Sequence, residues 1–79
     1  MKNINKDLST IEIFNLALQN HNNNNLDEAQ NLYNQVLSKD PNHSTALSNL
    51  SVIFFGLGDY KKAIIFLEKA IKINPNYAD

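Results

Sequence analysis

The side chains best suited to acid–base or metal chemistry do not form a catalytic pattern in this sequence. The two histidines are His21 and His43, and the acidic pair Asp27–Glu28 stands between them. Cysteine is absent, and the sequence contains no HExxH motif, Gly-rich phosphate loop or acidic metal cluster. Asp27 and Glu28 are explained more simply as anions in the first turn of a helix, and the histidines as structural side chains. We therefore expect no catalytic residue, no metal and no cofactor, and a protein that is not an enzyme.

Composition limits the chain to a small globular unit. It has 79 residues, of which 43% are apolar and 19% charged, enough for one small domain whose core is marginal without partners. The net charge is −1 and every basic residue is lysine, which argues against nucleic-acid binding. The first residues do not resemble a signal peptide, and no apolar run is long enough to span a membrane. A cytoplasmic location follows as an expectation.

The chain repeats itself. Pro41 and Pro75 each precede asparagine and lie 75 − 41 = 34 residues apart. The same shift aligns Asn15 with Asn49 and other pairs: Leu16 with Leu50, and Ala29 with Ala63. The predicted organisation is a lead-in over 1–9, one unit over 10–43, a second over 44–77, and the start of a third at 78–79.

In each unit, apolar residues at helical spacing predict two helices. In the first unit, Ser9 and Glu12 form a capping-box pattern that starts one helix, and Asn25 can cap a second that begins at Leu26, with Glu28 reaching back. Asp40–Pro41 ends that second helix, because proline disfavours helix at the preceding residue. We place Ala29 where the two helices cross, since a small side chain allows their axes to approach closely.

The second unit follows the same plan, with Ala63 in the place of Ala29. We predict a helix from about Ser44 to Phe55, a turn over 56–59, and a helix from Tyr60 to about Ile73 capped by Asp59. In the first unit the matching turn is the run of four asparagines, 22–25, in which Asn24 stands where Gly58 gives left-handed freedom. The predicted fold is all-α, with about four antiparallel helices in a solenoid of helix–turn–helix repeats.

These units resemble the tetratricopeptide repeat. The resemblance rests on a gap-free register of 34 residues and on the family's signature positions: Leu16/Leu50, Ala29/Ala63, Tyr33/Leu67, Val36/Ala70 and Pro41/Pro75. The segment GDYKKAIIFLEKAIKINPNY is especially similar to the family's second helix. The family's usual tryptophan at position 4 of the unit is replaced by Ile13 and Leu47, which weakens the match without disturbing the register.

The resemblance implies a protein-interaction module whose first helices line a concave, peptide-binding face. In this family an asparagine at the position of Asn15 and Asn49 often binds a ligand's backbone, which suits an amide because it both donates and accepts. The candidate peptide-binding residues are Phe14, Asn15, Leu18, Ser48, Asn49, Val52 and Phe55. Phe14 and Leu18 stand where a carboxylate-binding member would have lysine and asparagine, so an extended peptide held by apolar contact and backbone hydrogen bonds is favoured. Alternatively, the asparagines bond only locally or to water, and Phe14, Leu18 and Phe55 belong partly to the core.

The last helix is apolar around most of its surface. Ile64–Ile65 replace the polar pair Gln30–Asn31 of the first unit, and Ile64, Ile65 and Phe66 are therefore candidates for stacking or self-association. A third repeat, a following domain or a second copy of the chain could cover them. Two further functions thus remain open: a homo-oligomerising scaffold, or the N-terminal accessory region of a larger enzyme such as a glycosyltransferase-like protein.

Overall fold

Four helices form two hairpins in the computed structural model, which describes residues 9–75. They are α1 (Thr10–Asn22), α2 (Leu26–Lys39), α3 (Ser44–Gly56) and α4 (Tyr60–Ile73). Helix α1 packs on α2 and α3 on α4, while α2 and α3 join the hairpins. The all-α prediction is confirmed. Residues 1–8 of the predicted lead-in, the end of the second unit at 76–77 and the start of a third at 78–79 lie outside the described residues.

Two of the three predicted helix starts have the expected side-chain caps. At α1 the Glu12 N–H donates to Ser9 Oγ at 3.1 Å and the Ser9 N–H donates to Glu12 Oε1 at 2.9 Å, a complete capping box. At α4 the Lys62 N–H donates to the Asp59 carboxylate at 3.3 Å. These bonds satisfy amide groups that a helix leaves without an internal partner.

The predicted side-chain cap at α2 is wrong. Asn25 occupies the N-cap position, but its side chain makes no bond to the first turn, and Glu28 does not reach back. The Asn25 amide donates instead to Asn20 Oδ1 at 3.4 Å. At the matching positions of the second hairpin, Phe54 offers no polar atom, and the Asp59 carboxylate is therefore left to cap α4.

Helix α3 begins with a cap that the sequence analysis did not predict. His43 is its N-cap residue, and its Nδ1 accepts a hydrogen bond from the Ala46 N–H at 3.1 Å. The His43 ring also packs on Phe14 of α1, with ring centroids 4.8 Å apart. One side chain therefore starts α3 and ties the turn between the hairpins to the first helix.

Both turns inside the hairpins use a left-handed residue. Asn24 has φ of 64° and Gly58 has φ of 84°, so the asparagine run is a tight turn as predicted. Asparagine is among the few residues other than glycine that adopt this conformation readily.

The core lies within each hairpin and along the contact between α2 and α3, which we call the seam. Ala29 and Ala63 are fully buried, as their predicted role at the helix crossings requires. On α3, Ala46, Leu50 and Ile53 join the cluster formed by the first hairpin. The seam explains a difference between matched leucines. Leu50 is 0% exposed, whereas Leu16, which no earlier hairpin covers within residues 9–75, is 39% exposed.

Candidate functional site

A buried tyrosine links three helices beside the predicted binding surface. Tyr33 of α2 is fully buried, and its hydroxyl lies 3.1 Å from His21 Nδ1 on α1. The Asn49 amide on α3 donates to the same hydroxyl at 3.2 Å. The bond from Asn49 to Tyr33 fixes the position of the Asn49 side chain. Breaking it would be costly, because a buried hydroxyl would lose a partner.

The two matched asparagines therefore have different environments. Asn49 is half-buried and its side chain is bonded to Tyr33, whereas Asn15 is exposed and its side chain makes no hydrogen bond within the described part of the chain. The difference arises because the seam places Tyr33 beside Asn49, while no preceding hairpin within residues 9–75 stands beside Asn15. Of the two amides, only Asn49 is held in position.

The remaining candidate residues divide between core and surface. Phe14 is half-buried against Tyr33 and His43, and Leu18 packs on the core cluster. On α3, Val52 and Phe55 are more than half exposed, and Phe55 meets Tyr60 edge-to-face with ring centroids 5.3 Å apart. Ser48 is half-buried, and its carbonyl accepts from the Ser51 hydroxyl at 2.6 Å. The exposed apolar part of the candidate surface thus lies on α3.

Charge is distributed unevenly over the helices. Helix α3 contains no charged residue, and α1 contains only Glu12 besides His21. The other charges of the four helices lie on α2 and α4. A ligand lying along α1 and α3 would therefore meet amides, hydroxyls and apolar side chains in place of fixed charges.

The three candidate stacking residues of α4 do not share one environment. Ile64 and Ile65 are 49% and 52% exposed. Phe66 is partly buried and stacks on Phe54 of α3, with ring centroids 5.4 Å apart and an interplanar angle of 17°. Phe66 is thus engaged within its own hairpin, and only the two isoleucines are free at the surface.

Within residues 9–75 no group of three or more histidine, cysteine or acidic side chains is arranged to hold a metal ion. None of the described helices combines the length and apolar character needed to cross a bilayer.

The sequence analysis did not predict the hydrogen bonds of the Tyr33 hydroxyl, because the spacing of Tyr33 along its helix indicates only a core residue. A signal was nonetheless present in the comparison of the units. Tyr33 aligns with Leu67, so the packing position itself does not require a hydroxyl. A polar group added at a core position usually has a partner nearby.

Paired antiparallel helices with a small residue at each crossing, joined along a common seam, define a helical-hairpin repeat protein. The sequence pattern of the tetratricopeptide repeat matches residues 14–78, and the chain belongs to that family. Repeats of this family are interaction modules that generally bind proteins or peptides and are typically non-catalytic. A comparison with curated proteins finds no significant match.

Proposed function

We propose that the chain binds an extended, largely uncharged segment of a partner protein along the surface formed by α1 and α3. The observation that carries this proposal is the Asn49 amide, fixed by Tyr33 on a helix without charges and followed by exposed Val52 and Phe55. A pre-positioned amide binds a peptide group at a lower entropic cost than a mobile one does.

The expected mode of binding combines one directional contact with apolar burial. Asn49 still has a carbonyl oxygen to accept a peptide N–H and a second amide hydrogen to donate. Val52 and Phe55 supply the apolar contact area. Since this surface has no lysine, recognition of a terminal carboxylate is not its basis, and we expect binding to change little with salt.

A selection from a random peptide library against the full chain would supply the probe for a test. For a peptide so obtained, we expect Asn49→Ala to weaken binding by about tenfold, the usual effect of losing a well-placed hydrogen bond at an interface. Asn15→Ala is the matched control, with a smaller expected loss because its amide is not held. Equal binding by the wild type, both single variants and the double variant would remove the amides from the site.

Phe55→Ala tests the apolar part of the same surface. It should weaken the selected peptide's binding because the peptide loses an aromatic contact. Glu12→Gln changes the one acidic charge on α1 and should leave binding unchanged. Strong salt dependence of peptide binding would contradict an uncharged ligand.

Self-association is the second candidate function, favoured by the half-exposed pair Ile64 and Ile65. Light scattering over a range of concentrations tests it directly. A chain that stays monomeric at high micromolar concentration would contradict self-association and leave the peptide-binding proposal intact.

A further inference from the structure

The Tyr33 hydroxyl joins a titratable side chain to the amide of the proposed binding surface. Its oxygen lies 3.1 Å from His21 Nδ1 and accepts a hydrogen bond from the Asn49 amide at 3.2 Å. The His21 and Tyr33 rings also meet edge-to-face, with ring centroids 5.9 Å apart. His21 and Asn49 thus bond to the same oxygen atom, although they lie on different helices.

A neutral His21 fits this arrangement when its Nδ1 carries no hydrogen. The Tyr33 hydroxyl then donates to Nδ1, and its oxygen accepts from Asn49. The Asn49 Oδ1 makes no hydrogen bond within residues 9–75, where no side-chain oxygen or nitrogen of a buried or half-buried residue is both enclosed and without a partner. Oδ1 is therefore open to solvent, and Asn49 offers a ligand one acceptor and one N–H.

Protonation of His21 reverses the direction of these hydrogen bonds. Both nitrogens of an imidazolium carry hydrogen, so Nδ1 can only donate, and it faces the Tyr33 oxygen. The Tyr33 hydrogen is then released from His21. Asn49 can receive it by turning its amide through half a turn, which directs Oδ1 toward Tyr33 and both N–H bonds toward solvent.

We propose that His21 is a positioning residue that acts through Tyr33 and decides which atoms Asn49 presents to a ligand. With His21 neutral, the amide accepts from a ligand N–H and donates to a ligand carbonyl. With His21 protonated, the amide can only donate, and a peptide that places an N–H against it is bound more weakly. This inference rests on the proposed function, because Asn49 is the directional contact of that surface.

The other charged groups of the first hairpin do not replace His21 in this arrangement. Helix α3, which carries the amide, has no charged residue. Asp27 and Glu28, at the start of α2, are exposed, and no ion pair joins His21 to either within residues 9–75. Glu12 and Lys39 lie at the opposite end of the hairpin, since α1 and α2 are antiparallel. The remaining titratable groups in the first hairpin and at the start of α3 are Asp40, which ends α2, and His43, which bonds to the Ala46 N–H.

Nuclear magnetic resonance of the free chain tests the coupling without a ligand. Between about pH 8 and about pH 5, the side-chain amide signals of Asn49 should shift with the ring signals of His21 and with the same midpoint. At the higher pH, one Asn49 amide hydrogen should exchange with solvent more slowly than those of Asn15. In acid, both Asn49 hydrogens should exchange like those of Asn15, which is the matched control.

Two variants separate the coupling from a merely structural contact. Tyr33→Phe removes only the hydroxyl, and Leu67 at the matched position shows that packing there does not require one. In this variant His21 should still titrate, but the Asn49 amide should no longer follow it. His21→Gln keeps a polar side chain that does not titrate, and it decides the question if Tyr33→Phe does not fold, because its Asn49 signals should not change with pH. An Asn49 amide that ignores His21, or that still titrates in either variant, would overturn the inference.

A backbone-methylated form of the selected peptide tests the consequence for binding. Replacing the peptide N–H that contacts Asn49 by N–CH3 should weaken binding about tenfold at about pH 8 and have little effect at about pH 5. Asn49→Ala should remove this difference. If Asn49 contributes equally to peptide binding at both pH values, the inference fails and the proposed function stands. If the coupling is seen but no peptide is selected, the proposed function fails while the link from His21 to Asn49 is supported.

Discussion

At the scale of single residues, a few backbone positions decide how the helices start and how the chain turns. Asn24 adopts the left-handed conformation that glycine provides at position 58, and His43 uses a ring nitrogen in place of the usual hydroxyl or carboxylate cap. Both residues are polar and easily taken for part of a solvated surface. Both residues instead stabilise the backbone. Asn24 adopts the positive φ that the turn requires, and His43 accepts a hydrogen bond from an amide at the start of α3.

The turn at Asn24 gives a direct test of backbone strain. Asn24→Gly should be neutral or stabilising, because glycine adopts a positive φ without a steric cost. Asn24→Val should lower the free energy of unfolding by about 1 kcal/mol or more, since a β-branched residue is strained there. Urea denaturation followed by circular dichroism measures both. Equal stability of the glycine and valine variants would contradict the turn assignment.

The imidazole cap at His43 can be separated from the packing of its ring. Replacing His43 by alanine should cost about 1 kcal/mol, the usual effect of losing an N-cap side chain. Asparagine is also a good N-cap residue and should recover most of that loss, although it cannot reproduce the ring contact with Phe14. The same denaturation series compares the variants. A stability unchanged in the alanine variant would show that the bond to the Ala46 N–H is dispensable.

At the scale of elements, small residues set how closely the helices of a hairpin approach. Ala29, Ala63 and Ala17 are fully buried, and Ser51, which aligns with Ala17, is nearly so. The Ser51 hydroxyl donates to the Ser48 carbonyl, so a polar residue can stand at this buried position. The hairpins thus tolerate a change of polarity at one of these positions as long as the side chain stays small.

An enlarged side chain at the crossing should separate α3 from α4. Ala63→Leu inserts three carbon atoms where no exposed surface remains, and we expect a loss of roughly 1–3 kcal/mol. A clearly lower melting temperature by calorimetry or circular dichroism is the expected readout. Ile65→Leu, a volume-conserving change on the exposed side of α4, is the control. An unchanged melting curve for Ala63→Leu would place the crossing elsewhere.

At the scale of the whole molecule, the seam between the hairpins gives the two repeats different surfaces despite their common plan. One end of the described chain has α1 with Glu12, Leu16 and Gln19 facing outward, and the other end has one face of α4 that carries Tyr60, Ile64, Leu67 and Ile71. The first of these faces is largely polar, and the second has no polar side chain except the Tyr60 hydroxyl. The two ends of the described chain therefore differ in what they can bind.

Matched leucines measure how much the seam contributes. Leu50→Ala removes a side chain that is fully buried between the hairpins and should cost about 2–5 kcal/mol. Leu16→Ala makes the same change at the equivalent position of α1, where the side chain is partly exposed, and should cost less than about 1 kcal/mol. Chemical denaturation of both variants at one protein concentration tests this. Similar losses would show that the seam does not bury Leu50 as described.

The repeat interval determined much of the fold. The shift of 34 residues placed the helices and the turn at Asn24, because each unit must bury the same apolar face and turn at the same place. The side-chain cap of Asn25 was predicted wrongly because capping rules treat a residue with its sequence neighbours alone. Whether its amide bonds to Asn20 or to the helix depends on the packing of α1 against α2. The candidate binding residues were chosen by alignment, and they remain a proposal.

The sequence by itself determined the family, the number of helices and which positions repeat, since these follow from periodic patterns that survive without knowledge of contacts. Only the tertiary structure decided which repeated positions are equivalent in environment. Asn49 is held by Tyr33 and Asn15 is not, and Leu50 is covered while Leu16 is partly exposed. The physical reason is that a repeat acquires part of its environment from its neighbour, and the units at the two ends of the described chain each lack a different neighbour.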